Sequence, residues 1–240
     1  MSLAAQAAGI NLQAEDGVTL HAAVTQPEAS TRGVVFVHMD GRTSEDWVFI
    51  TERLAKSGLT SIAVDLRGHG QSSGERTHDA MAQDIQAATA WLASNGVEDI
   101  ACVGAEVGAN LCLVAANEDP QIRSVAALSP RLNPHGLNAP RAMQAWGGSI
   151  LAVASVEDSP GSKCVDLLAK IAGEERSEVV VLSEEGIGTQ LLSRSPSLEG
   201  VLVDWLSRTE LSSTDVVGIR PDTTDNTTVE AEGEKLRTHQ

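Results

Sequence analysis

Apolar and polar positions change rhythm several times along this 240-residue chain. Residues 18–24, Val-Thr-Leu-His-Ala-Ala-Val, alternate after the turn Glu15-Asp16-Gly17, the pattern of a strand with one covered face. Residues 33–38, 60–65, 100–103, 125–128, 150–154 and 179–182 are instead short, unbroken apolar runs, as in strands buried on both faces. Helices are expected between them, over about 47–57, 80–95, 109–116, 164–172 and 196–206, with Asn95-Gly96 as a left-handed stop for the second. Strands alternating with helices predict an α/β protein: a mostly parallel twisted sheet with helices on both faces and 18–24 as an antiparallel edge strand.

The apolar pattern stops beyond Thr209, and 222–234 are polar, acidic and free of aromatics. The expected organisation is an N-terminal extension over 1–10, one domain over 11–210 and a disordered acidic tail over 211–240. A 42% hydrophobic content at this length suffices for one substantial core. The formal charge of −16 repels polyanions, so nucleic acid and anionic membrane surfaces are excluded as expected partners. Three cysteines are an odd number, and Cys102 and Cys112 fall inside expected core elements, which predicts reduced buried thiols alongside Cys164. The first residues lack the basic and long apolar regions of an export signal, and no run approaches the ~20 apolar residues of a membrane span. A cytoplasmic location is expected.

Gly-Ala-Glu-Val-Gly at 104–108 lies between an apolar strand and a helix of small residues. That is the setting of the nucleophile elbow, where a G-x-S-x-G turn presents a strained serine at the mouth of an α/β sheet, but here the central position is Glu106. Two further blocks stand in order: Val-Phe-Val-His-Met-Asp-Gly at 35–41 and Val-Asp-Leu-Arg-Gly-His-Gly-Gln-Ser-Ser at 64–73. With these three blocks the chain resembles the α/β-hydrolase superfamily, in the branch of short esterase-like and dienelactone-hydrolase-like proteins, over roughly residues 11–208. The resemblance implies an α/β-hydrolase fold, and the twenty or so residues from Ser129 to Ser149 are too few for the helical cap domain of many relatives. Pro130, Pro134, Gly136 and Pro140 make this piece loop-like, with a short helix near 142–146 and Trp146 either lining the cleft or anchoring the loop.

Catalysis in that family needs a nucleophile, a histidine, an acid and two oxyanion-binding amides. The resemblance puts the nucleophile at Glu106, the acid at Asp158 with Glu157 as its neighbour, and the histidine at Ile187; no histidine occurs between His135 and His239. The oxyanion donors are the backbone N–H groups of Met39 and Val107, with His38 as a loop-packing histidine and Asp40 beside it. His69 matches a structural turn, and His78 precedes a helix. Isoleucine neither accepts nor donates a proton, so the reading is a catalytically impaired pseudo-hydrolase that binds a small ligand or a protein partner through the former cleft. The alternative is an active hydrolase with Glu106 as a carboxylate nucleophile.

A carboxylate at the positive end of the following helix is expected to fold back over its own oxyanion hole, with Arg42 or Arg67 neutralising it. Asp40, Glu106 and Asp158 crowd carboxylates into one cleft, yet without histidine ligands no metal and no cofactor is expected. The resemblance also allows a homodimer through an edge strand or the last helix.

Overall fold

A computed structural model describes residues 8–27, 30–183 and 186–208. Eight strands form one sheet: β1 (Ala8–Gln13), β2 (Thr19–Thr25), β3 (Arg32–Val37), β4 (Thr60–Val64), β5 (Asp99–Ala105), β6 (Ile122–Leu128), β7 (Ser149–Ser155) and β8 (Ser177–Leu182). Their spatial order is β1-β2-β4-β3-β5-β6-β7-β8, antiparallel for the first two pairings and parallel thereafter. The helices are α1 (Val48–Lys56), α2 (Met81–Ser94), α3 (Val107–Glu118), α4 (Ala139–Ala145), α5 (Ser159–Ala172), α6 (Gln190–Arg194) and α7 (Pro196–Ser207).

The unbroken apolar runs are explained by two separate cores. Side chains alternate across a strand, so Val35 and Val37 of β3 face one cluster and Val34 and Phe36 the other. The first cluster is closed by α2, α3, α4 and α5, the second by α1, α6 and α7. Each fully covered Val, Leu or Ile contributes about 1.5–3 kcal/mol, so a polar residue on either face of β3 is costly.

The expected edge strand is antiparallel, but it is not at the edge. Ala8 to Gln13 pair outside it, with Leu12 opposite Leu20, so the sheet begins before the expected boundary at residue 11. The signal in β1 is weak because only Leu12 of its six residues is buried. The short α6 is likewise absent from the apolar pattern. Between β6 and β7 the chain holds only a 3-10 turn at Pro134–Gly136 and α4, with no cap inserted. Trp146 is an anchor: it is buried, and its Nε1 donates to the Ile122 carbonyl at 3.3 Å. The expected tail over 211–240 lies outside the described residues.

The reduced-thiol expectation fails for two of the three cysteines. Cys102 on β5 and Cys112 on α3 are joined by a disulfide, with Cα atoms 5.6 Å apart. The turn between strand and helix doubles the chain back, so residues ten apart meet inside the core. Cys164 remains a free buried thiol, and burial pushes it up to about 12. A structural disulfide is rare in reducing compartments, so the thiol argument for a cytoplasmic location no longer holds. Among the described residues no helix is long and apolar enough to cross a membrane.

Candidate active site

The site is built at the β5–α3 turn. Glu106 has φ 51° and ψ −111°, a conformation a non-glycine residue adopts only when its surroundings enforce it. Its N–H donates to the Leu128 carbonyl at 2.8 Å, and its carbonyl accepts from the amides of Ala109 and Asn110. The flanking glycines permit the tight approach. A Cβ on Gly108 would stand 2.5 Å from the Val37 carbonyl oxygen and 2.6 Å from that of His38, and one on Gly104 would collide with the Gly108 carbonyl. Helix α3 is therefore seated directly against the end of β3, where the expected oxyanion loop begins.

The Glu106 carboxylate does not fold back. It makes no capping bond to α3. Instead Oε1 accepts from Arg131 Nη2 at 3.3 Å, while Arg131 Nη1 pairs with Asp158 Oδ1 at 2.5 Å. Asp158 is nearly fully buried and caps α5 by accepting the Gly161 amide at 3.1 Å. One guanidinium thus joins the residues at the expected nucleophile and acid positions.

Arg131 is held in turn by the buried Asn110 of α3. Asn110 Oδ1 accepts the Arg131 amide at 3.0 Å, and its Nδ2 donates to the carbonyls of Arg131 and Leu137, both at 2.7 Å. The arginines expected to neutralise Glu106 are engaged elsewhere: Arg42 pairs with Asp46, and Arg67 with Asp84 and Asp16. Sequence reasoning misses Arg131 because its partners lie 25 and 27 positions away, on opposite sides of it.

Ile187 lies in the loop after β8, half-buried against the second core, its amide donating to Gln190 Oε1. The next residue touches the elbow. Gly188, at φ 55°, donates its amide to the buried Ser129 Oγ at 2.9 Å, and a Cβ there would lie 2.8 Å from Met39 Sδ and 3.3 Å from Ala105 Cβ. Thr189 Oγ1 bonds Asp46 Oδ2 at 2.7 Å, tying this loop to the turn before α1. Met39 and Val107, whose amides are the expected oxyanion donors, are both buried at this junction.

His38 is buried, with Nδ1 donating to the Met39 carbonyl at 2.8 Å and Nε2 accepting the Leu66 amide at 3.0 Å. Burial holds its imidazole below the usual range, in keeping with a neutral packing residue. His69 sits in the expected turn: Gly70 leaves room for Asp65, whose carboxylate accepts the amides of Ser44 and Gln71.

Asp40 faces histidines rather than the other two carboxylates. Its Oδ2 is 3.4 Å from His78 Nε2 and 3.6 Å from His135 Nε2. The expectation of carboxylates without histidine neighbours is therefore corrected. The histidines come from two other loops, which no local spacing in the chain reveals. A separate groove of about 580 Å³, with Phe49, Asp46, Thr189 and Leu192 in its walls, opens between α1 and α6 and does not include Glu106.

Residues 34–150 match the family model described as the alpha/beta hydrolase fold. A 116-residue stretch is 33% identical to the dihydrolipoyllysine-residue acetyltransferase component of the acetoin cleaving system of Cupriavidus necator, covering 48% of this chain but only 30% of that protein. A solved esterase of Pyrococcus furiosus superposes with a TM-score of 0.72 at 18% identity, over 87% of this chain and 92% of its own. A dienelactone hydrolase of Anabaena variabilis gives 0.72 at 18%, over 85% and 97%. At such identities the solved structures speak for the fold alone. Together with the family match over residues 34–150, they show that this chain has the α/β-hydrolase fold.

Proposed function

We propose that this protein is a pseudo-hydrolase: an α/β-hydrolase-fold protein that has lost catalysis and binds a small ligand or a protein partner through the former active-site cleft. The observation that carries this reading is the bridge from Arg131 to Glu106 and Asp158. A working triad needs a group between nucleophile and acid that takes and returns a proton near neutral pH, and a guanidinium stays charged throughout. An arginine there fixes the two carboxylates as ion-pair partners. A carboxylate neutralised in this way is also a weak nucleophile, which counts against the alternative of Glu106 attacking a substrate.

In a serine protease of the subtilisin type, loss of the serine or the histidine costs on the order of 10⁶ in turnover because the triad members act as a unit. Wild-type protein is accordingly expected to show background ester turnover and no fluorophosphonate labelling. Activity, if recovered at all, should require Glu106→Ser together with Ile187→His. Robust wild-type turnover that disappears in Glu106→Gln would replace this proposal with the carboxylate-nucleophile mechanism. A thermal-shift screen of small carboxylates and acyl compounds examines the binding half of the reading.

A further inference from the structure

We propose that Asp40, His78 and His135 form a binding site for a divalent transition-metal ion of the zinc class, with the buried His69 facing Asp40. The three outer residues come from the loop after β3, the 3-10 turn before α2 and the 3-10 turn before α4. One ligand atom from each lies within 4.8 Å of the others. A zinc ion held at 2.0–2.2 Å in a tetrahedron separates neighbouring ligand atoms by about 3.3–3.6 Å. Asp40 Oδ2 stands 3.4 Å from His78 Nε2 and 3.6 Å from His135 Nε2. Two imidazoles and one carboxylate also suit zinc better than magnesium or calcium, which prefer all-oxygen sets.

The second, independent observation is His69. Its side chain is 1% exposed, and Nε2 has no hydrogen-bond partner. Nδ1 lies 3.1 Å from the Arg67 carbonyl and can only donate to it, so in the neutral ring Nε2 carries a lone pair. That lone pair is 3.9 Å from Asp40 Oδ1, which is itself an acceptor. Two acceptors facing each other with nothing between them are unfavourable, and a cation resolves the conflict. A backbone carbonyl that fixes the opposite ring nitrogen is also the usual way of orienting a metal-binding histidine.

A direct ion pair between His69 and Asp40 is the competing arrangement, and it leaves the approach of His78 and His135 to the same carboxylate unexplained. The His78 and His135 rings are stacked with centroids 3.8 Å apart and planes 6° from parallel. Parallel stacked rings hold their in-plane Nε2 lone pairs side by side, so a shared ion requires one of the two rings to turn about its Cβ–Cγ bond.

The test is calorimetric titration of the chelator-treated full chain with ZnCl2, repeated with CoCl2 while following visible absorption. One equivalent should bind, with a cobalt spectrum of nitrogen and oxygen ligation. His135→Ala and Asp40→Asn should each weaken binding by about tenfold or more, a loss of the size seen even for outer-shell partners. His135 is half-exposed, so its substitution should leave the metal-free melting temperature unchanged and separate lost binding from lost folding. Absence of a one-equivalent event with either metal, or zinc binding of equal strength in the His78→Ala/His135→Ala double variant, overturns the proposal.

Discussion

Arg131 shows how much one side chain can decide. It is mostly buried, and it holds the nearly fully buried Asp158 on one arm and Glu106 on the other. Removing one member of such a buried pair leaves the other charge without compensation, at a cost of about 3–5 kcal/mol. Arg131→Ala should therefore lower the denaturant midpoint by an amount of that order. Adding Asp158→Asn should recover part of the loss, since the amide keeps an oxygen for the Gly161 N–H without a buried charge. Additive losses in the double variant would show that the two side chains are not energetically coupled. The chain sequence makes Glu106 and Ile187 conspicuous because they break a pattern. Arg131 breaks none, and only its distance to two carboxylates gives it meaning.

At the scale of elements, the β5–α3 unit concentrates the constraints of the site. The turn holds Glu106 at positive φ, the flanking glycines admit two backbones at van der Waals limits, and the Cys102–Cys112 bridge closes a loop of ten residues over them. In the chain-entropy account a crosslink of this span stabilises by roughly 2–3 kcal/mol. Thiol counting in guanidinium should find one reactive group before reduction and three after it. In the native protein the count should be near zero at pH 8, because burial holds the Cys164 thiol at about 12. Three thiols without reductant would rule the bridge out. The elbow is legible from five residues in sequence. The disulfide is not, since a spacing of ten says nothing until the turn angle between strand and helix is known.

For the molecule as a whole, one contact closes the domain from its early strands to its last helix. Arg32, the first residue of β3, donates to the carbonyls of Leu206, Ser207 and Arg208 at 2.9, 3.0 and 2.7 Å, and its Nε pairs with Asp99. These are the unsatisfied carbonyls at the end of α7, where a cation is also favoured by the helix dipole. Arg32→Ala should destabilise by about 1–3 kcal/mol, read as a lower urea midpoint, with earlier hydrogen exchange in α7 than in α3. Uniform exchange across both helices would show that the contact does not bear selectively on the last helix. Nothing in the sequence singles out Arg32, because its partners are 174 to 176 residues distant.

The order of apolar runs and helical stretches is sufficient for the α/β class, the parallel sheet and the elbow, because each rests on periodicity or on glycine geometry within a few neighbouring residues. Strand β1 escapes because a mostly exposed edge strand carries little apolar pattern. The partners of charged groups are decided only by folding: which arginine meets Glu106, and which histidines gather around Asp40. Hydrophobic patterning is a local property that the chain displays along its length. Ion pairs and ligand clusters join loops whose meeting is fixed by how the whole sheet and its helices pack.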